Sequence, residues 1–281
     1  MASKKLRLLK MGLSTLLGYK QQGFFIPYRY ADAVPGPAER APYSKIESLF
    51  KNSEEDFKTL IEAIEPYRDD LKKIGPDNPP EPRWNQSWFP VLDAAIAYTV
   101  VRHYKPARII EVGSGHSTRF LARAVKDAEL TTSITAIDPA PRAVIKGLEI
   151  NFVPSTVERS DPGTFEDLQS GDILFIDSSH ILMPGTDVDY LFNRVLPSVP
   201  LGMLVHIHDI LLPDDYPEDW QWRGYNEQLA VAGFLHGGGY EPLFSSTYVR
   251  TRMSDRLSGT IINDIPMVEG ARDTSLWLRK I

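Results

Sequence analysis

The chain has 281 residues, of which 42% are hydrophobic and 24% charged, a composition typical of one large globular domain or a domain plus an extension. Its formal net charge of −6 argues against a nucleic-acid binder, whose binding surface would be basic. The lack of cysteine excludes disulfides, thiolate zinc sites and cysteine nucleophiles, and it is compatible with the cytoplasmic location that we expect.

The first 30 residues differ from the rest because they carry six lysines and arginines and no acidic residue. Five leucines recur there at helical spacing, namely Leu6, Leu9, Leu13, Leu16 and Leu17. Neither the apolar core nor the cleavage site of a secretory signal is clear, and no apolar run reaches the roughly 20 residues of a membrane span. The pattern predicts a helix that either contacts a membrane surface through residues 1–20, or packs on its own domain or on a second subunit in a homodimer.

Two further helical patterns follow a Pro- and Ala-rich linker at residues 31–44. The first covers residues 45–74, and the second runs from Trp88 to about His103. Three prolines between Asp77 and Pro82 break the pattern between them. We therefore predict that residues 1–84 form a helical extension that caps the rest of the chain.

From Arg108 onward, short apolar runs alternate with helical patterns, which is typical of a doubly wound α/β sheet. Strands are predicted at about 108–112, 133–137, 152–157, 172–176, 203–207, 241–248 and 274–280. Helices are predicted at about 117–127, 141–149, 186–196 and 224–236. No convincing helix separates the last two strands, so a terminal antiparallel hairpin is expected. Residues 85–281 are thus predicted to form a seven-stranded, mostly parallel, Rossmann-like domain.

The first predicted strand leads into a glycine turn at Gly113 and Gly115, and hydroxyl residues then open a helix. Such a turn presents backbone N–H groups to a nucleotide-like ligand, and Asp138, at the end of the second strand, suits a ribose diol. The third glycine of the nicotinamide fingerprint is missing. Glu111 would repel a pyrophosphate but could accept hydrogen bonds from hydroxyls, which favours a nucleoside without one.

The Glu111-Val-Gly-Ser-Gly motif, the spacing to Asp138 and the order of seven strands resemble the class I S-adenosylmethionine-dependent methyltransferases over residues 85–281. The resemblance implies that the glycine turn approaches the methionine part of the cofactor and that Asp138 binds the ribose. The residues expected to contact S-adenosylmethionine are Glu111, Gly113, Ser114, Gly115, Ser117, Thr118, Asp138 and Asp177.

Polar residues also follow the fourth and fifth strands, with Asp177 and His180 after one and His208 and Asp209 after the other. Carboxyl ends of neighbouring parallel strands share one edge of the sheet, so these side chains should converge. Oxygen and imidazole donors without sulfur suit Mg, Mn, Fe(II) or Zn. This part resembles the metal-dependent O-methyltransferases, which implies Asp177, His208 and Asp209 as metal ligands, with His180 as a further candidate.

A metal-free reading of these residues stays open. His208 would then act as a general base, with Asp177 or Asp209 fixing its tautomer. His206 lies two residues earlier on the same strand face, either behind His208 or as a core histidine. The aromatic segment from Leu211 to Gln228 lies where this fold places a substrate lid. Its Asn226, Glu227 and Gln228 either reach the site or cap a helix.

The sequence thus predicts an S-adenosylmethionine-dependent methyltransferase that acts on a hydroxyl of a small molecule, such as a sugar, a phenol or a natural product. N-methylation of a small amine also fits, because an amine acceptor needs only a base and positioning. An NAD(P)-dependent oxidoreductase is disfavoured by the missing glycine and the lack of a Tyr-x-x-x-Lys pair. A non-catalytic scaffold would have no need of clustered histidines and aspartates.

Overall fold

The computed structural model describes residues 2–281, with side chains from Lys5 onward. Met1 lies outside the described residues, so the membrane or packing contact predicted for residues 1–20 is not described at that position. The chain divides into two compact units, residues 1–40 and residues 41–281. No helix among the described residues is long and apolar enough to cross a membrane.

The first unit contains one helix, α1 (Ala2–Leu16), followed by short helical turns at Ala31–Ala33 and Pro37–Glu39. The predicted N-terminal helix is therefore present. Its leucines are exposed, with Leu6, Leu9 and Leu13 between 49% and 68% accessible.

The second unit is built on a seven-stranded sheet with the order β3-β2-β1-β4-β5-β7-β6. The strands are β1 (Arg108–Val112), β2 (Ser133–Ile137), β3 (Asn151–Val153), β4 (Ile173–Ile176), β5 (Leu204–Ile207), β6 (Tyr240–Ser245) and β7 (Leu276–Lys280). The first five strands are parallel, and β7 is antiparallel to both of its neighbours. Every residue of β4 and β5 is buried, as expected for central strands that are covered on both faces. The predicted fold class is confirmed.

Helices cover both faces of the sheet. They are α2 (Ser44–Asn52), α3 (Glu54–Glu62), α4 (Arg68–Lys72), α5 (Val91–Tyr104), α6 (His116–Asp127), α7 (Asp187–Tyr190), α8 (Glu227–His236), α9 (Ser246–Arg252) and α10 (Ile261–Asp264). Eleven consecutive residues of α5, from Val91 to Val101, are buried, so this helix is enclosed on all sides. Helix α3 packs against α5 and β6. The helices between residues 44 and 72 therefore belong to the same compact unit as the sheet.

Three local predictions differ from the structure. The helix predicted at 141–149 is absent, because Gly147 adopts a positive φ of 97° and Arg142 donates its N–H to the carbonyl of Ser114. The single helix predicted over 45–74 is divided into α2, α3 and α4. Strand β6 ends at Ser245, whose hydroxyl accepts a hydrogen bond from the N–H of Tyr248 and begins α9.

The two last strands are antiparallel as predicted, but they do not form a tight hairpin. Helices α9 and α10 lie between them in the chain, and β7 inserts between β5 and β6. This topology brings the residues just before β7 beside the end of β5.

Candidate functional site

The glycine turn after β1 packs directly against the end of β4. Gly113 has a φ of 83°, and a Cβ placed on it would lie 1.8 Å from the carbonyl oxygen of Asp177. Only glycine avoids that collision and also adopts this backbone conformation without strain. The turn and Asp177 are therefore held side by side.

Glu111 lies beneath this turn and is fully buried. Its two carboxyl oxygens accept hydrogen bonds from the hydroxyls of Ser117, at 2.6 Å, and Thr118, at 2.5 Å. Burial raises the pKa of Glu111 to about 8, although both hydroxyls oppose the shift. Thr118 also accepts the N–H of Gly115 at 2.9 Å. Glu111 and Thr118 thus stabilise the turn from within and are not part of the cavity wall, so the cofactor contacts predicted for them stay predictions.

Asp138 fixes the turn from the side of β2. It accepts hydrogen bonds from the N–H of Ser114 at 2.6 Å, from the Ser114 hydroxyl at 3.1 Å and from the N–H of Ala140 at 2.7 Å. These donors occupy both of its oxygens, and its side chain is not part of the cavity wall. Since a carboxylate can accept about four hydrogen bonds, the ribose contact predicted for Asp138 stays a prediction.

A cavity of about 120 Å³ opens beside the turn, at the carboxyl ends of β4 and β5. It is lined by Ser87, Trp88, Phe89, Ser114, Gly115, His116, Ser117, Arg142, Asp177, His208, Asp209, Trp220, Arg223, Gly270, Ala271 and Arg272. The structure thus brings the predicted residues Ser114, Gly115, Ser117, Asp177, His208 and Asp209 into one wall. Glu111, Gly113, Thr118, Asp138 and His180 are absent from this wall.

His208 is held between a buried aspartate and the cavity. Its Nε2 lies 3.2 Å from Oδ2 of Asp93, a fully buried residue of α5. Asp93 also accepts the backbone N–H groups of Thr274, at 2.8 Å, and Ser275, at 3.0 Å. The other ring nitrogen, Nδ1, lies 3.5 Å from Oδ1 of Asp177. The sequence analysis did not identify Asp93 as a site residue. It could have been noticed as the single acidic residue in the buried part of α5.

His180 forms a second imidazole–carboxylate group. Its Nδ1 lies 2.8 Å from Glu227, and its Nε2 lies 3.4 Å from Asp177 and 3.5 Å from Asp209. Glu227, at the start of α8, therefore contacts the histidine cluster, one of the two roles considered for it. His180 and Asp209 both have positive φ, 61° and 54°. Each such non-glycine residue costs about 1–3 kcal/mol, strain that concentrates at functional sites.

Opposite charges dominate the electrostatics of this cluster. Burial acts to lower the pKa of His208, but the charges of Asp177 and Asp209 outweigh it and hold that pKa well above its usual range. The pKa of His180 is likewise raised well above its usual range, by Asp177 and Glu227 against burial. Burial acts to raise the pKa of Asp177, but the two imidazoles hold it well below its usual range. The cluster is therefore an array of imidazolium and carboxylate groups.

His206, within β5, has a different role from His208, directly after β5, although their rings are stacked on one another. Its ring stacks on Phe175 with centroids 3.7 Å apart, and its Nε2 lies 2.8 Å from the hydroxyl of Ser275. Burial and the neighbouring charge of His208 hold the pKa of His206 well below its usual range. His206 is therefore a neutral core histidine, the second of the two roles considered for it.

The imidazole and carboxylate groups of this cluster are the types of donor that bind divalent metals. Among residues 2–281, no group of three or more histidine, aspartate or glutamate side chains is arranged to hold a metal ion. Instead, the imidazoles of His180 and His208 direct both ring nitrogens at carboxylates. The metal ligands predicted at Asp177, His208 and Asp209, with His180 as a fourth, therefore stay a prediction that this arrangement does not support.

Arginines and tryptophans form the mouth of the cavity. Arg223 stacks over Trp220 at 4.3 Å from the ring centroid, and its Nη1 lies 3.9 Å from Oδ2 of Asp209. Arg142 stacks over Trp88 at 4.8 Å. Trp220 and Arg223 lie in a helical turn, Glu218–Arg223, within the segment predicted as a lid. The cavity is smaller than the 300–1,000 Å³ typical of ligand sites.

Residues 110–210 match a family model described as a methyltransferase domain. That segment runs from within β1 to just beyond β5 and includes Asp177, His208 and Asp209. A comparison with curated proteins found no match.

The chain is also similar to several solved methyltransferase structures. The Podospora anserina methyltransferase PaMTH1, bound to SAH, has 13% identity and a TM-score of 0.42, with 92% of this chain and 99% of that chain covered. The O-methyltransferase TomG from Streptomyces achromogenes, in complex with SAM, has 15% identity and a TM-score of 0.41, with coverages of 86% and 99%. Likeness at this level carries no argument about substrate or mechanism. The family match is to a methyltransferase domain over about a third of the chain, and the sheet order is that of a Rossmann-like fold.

Proposed function

We propose that the protein is an O-methyltransferase that transfers a methyl group from S-adenosylmethionine to a hydroxyl of a small molecule, with His208 as the general base. One observation carries the proposal: Nδ1 of His208 faces Asp177 in a cavity shared with the glycine turn, while Asp93 holds Nε2 from behind. A buried, oriented imidazole at the edge of a cofactor turn is suited to accept a proton from an acceptor hydroxyl.

When bound, S-adenosylmethionine supplies a methyl group activated by a positively charged sulfonium. In our proposal, Ser114, Gly115 and Ser117 form the wall against which the cofactor lies. His208 Nδ1 would accept the proton of the acceptor hydroxyl, which leaves that oxygen nucleophilic toward a methyl donor. Asp93 keeps the other proton on Nε2, because its carboxylate accepts that N–H.

Asp177 and Asp209 stabilise the imidazolium that forms, since both carboxylates lie within 3.6 Å of Nδ1. The same contacts raise the pKa of His208, so its base form is populated only as the pH rises. We therefore expect turnover to increase with pH through an apparent pKa above that of a free histidine. The proposed mechanism uses no metal, and turnover should survive prolonged dialysis against a chelator.

The test is an assay of the purified protein with S-adenosylmethionine and a panel of phenols, catechols, sugars and small amines, read by mass spectrometry. We expect methylated product from a hydroxyl compound, formed together with S-adenosylhomocysteine. Product only from amines would replace O- by N-methylation. Activity lost to the chelator and restored by Mg²⁺ or Mn²⁺ would replace the base mechanism with metal assistance.

A further inference from the structure

Residues 5–30 form a segment, here called the basic arm, that the proposed reaction does not use. Its helical part, within α1, exposes Leu6, Leu9, Leu13 and Leu16, each between 49% and 68% accessible, and Leu17 just beyond the helix is 65% accessible. At about 100° per residue, these five leucines fall within about a third of the helix circumference. An exposed apolar stripe of this kind marks an interaction site.

The basic residues around the leucine stripe indicate which kind of surface the stripe contacts. Lys5 and Lys10 are exposed and lie on either side of the leucine stripe, about 70° from its centre. Lysines in this position can lay their stems along an apolar phase while the ammonium groups remain at its polar boundary. The first 30 residues hold 6 of the 31 lysines and arginines and none of the 37 acidic residues. All acidic residues thus lie beyond the basic arm, whose charge complements an anionic surface.

The part of the arm after α1 repeats the same chemistry without a helix. Phe24, Phe25 and Ile26 are exposed, at 50%, 69% and 63%, and so are Tyr28 and Tyr30, at 58% and 57%. Aromatic rings with a polar tip favour the boundary between water and lipid. The exposed apolar residues therefore continue over two parts of the arm that differ in local structure.

The length of α1 decides its orientation at such a surface. Its 15 residues extend about 22 Å, which is shorter than the roughly 30 Å hydrocarbon core of a bilayer. We propose that the basic arm binds the surface of an anionic phospholipid bilayer, with α1 parallel to the membrane plane and its leucine stripe in the lipid. The protein would then reach its acceptor while attached to a membrane surface, and the methyl transfer itself would not depend on that attachment.

The test compares two variants of the full chain that carry the same charge change. Leu13→Glu places a carboxylate near the centre of the leucine stripe, whereas Leu8→Glu places one outside it, at a residue that is 41% accessible. Binding is measured by sedimentation with vesicles of phosphatidylcholine alone, or with roughly a third phosphatidylglycerol, at low and high salt. S-adenosylhomocysteine binding of each variant is measured in parallel, and we expect it to be unchanged because neither residue lines the cavity.

We expect wild-type protein to sediment with the anionic vesicles, weakly with phosphatidylcholine alone, and less at high salt. Leu13→Glu should lower the partition coefficient at least about tenfold, because a leucine is no longer buried in lipid, and Leu8→Glu should change it less than about threefold. Failure of wild-type protein to bind anionic vesicles, or equal loss in both variants, would overturn the proposal. So would a dimer, measured by light scattering, that only Leu13→Glu dissociates.

Discussion

Two carboxylates at the same edge of the sheet have opposite environments. Glu111, at the end of β1, is enclosed by two hydroxyl groups and fully buried, and its pKa rises to about 8. Asp177, at the end of β4, has a side chain that is 30% exposed and faces two imidazoles, and its pKa falls. The partners of each acid, rather than its place at a strand end, decide whether it stabilises the turn or faces the cavity.

The largest effect is expected at His208, which links Asp177 to the buried Asp93. His208→Gln removes the proposed base and should lower kcat about 10²- to 10⁴-fold, while S-adenosylhomocysteine affinity changes little. His206→Gln is the matched control, because it removes the other histidine of the same strand face without touching the cavity. Equal losses of kcat in both variants, with both still folded, would remove His208 from the reaction.

Gly113, in the turn that Glu111 stabilises, packs directly against the backbone of Asp177, and a substitution at Gly113 would break this contact. Gly113→Ala places a methyl group against the carbonyl of Asp177 and forces alanine into a positive φ, so we expect a loss of about 2–4 kcal/mol in the free energy of unfolding. Gly115→Ala is the control, since its Cβ would find its nearest neighbours at an ordinary 3.7 Å. Denaturant titration measures both, and similar stabilities would show that the turn does not need glycine at position 113.

The variant Asp93→Asn tests the contact between the buried carboxylate of Asp93 and Nε2 of His208. Because Asp93 helps to raise the pKa of His208, its loss should move the rising limb of the pH–rate profile to lower pH. We expect kcat to fall about 10- to 100-fold, with KM nearly unchanged, since Asp93 does not line the cavity. An unshifted pH profile would contradict the role of Asp93 as the residue that positions His208.

The smallest effect is expected at Glu111 and depends on pH. The pKa of Glu111 is raised from 4.5 in the folded state, so its contribution to stability is complete below pH 4.5 and is lost as the pH rises through about 8. Glu111→Gln lacks that titration. The variant should therefore gain Tm relative to wild type as the pH rises from 5 to 9. A constant difference in Tm across this range would show that Glu111 is already ionised in the folded protein.

The pattern of apolar and polar residues in the sequence predicted the sheet, because apolar runs such as Ile173–Ile176 are followed by polar residues that mark the strand ends. It also predicted that Asp177, His208 and Asp209 would meet, since parallel strands share an edge. It could not find Asp93, which reaches His208 across 115 residues of chain. Nor could it separate Glu111 from Asp177, because hydrogen-bond partners at a turn depend on packing that the sequence does not display.

All of the proposed residue roles require S-adenosylmethionine to bind beside the glycine turn. Calorimetric titration with S-adenosylhomocysteine and, separately, with NAD⁺ tests this directly. We expect saturable binding of S-adenosylhomocysteine with a Kd on the order of micromolar, weakened strongly by Gly115→Leu, and no binding of NAD⁺. Binding of NAD⁺ alone, or S-adenosylhomocysteine affinity that Gly115→Leu leaves intact, would contradict the account.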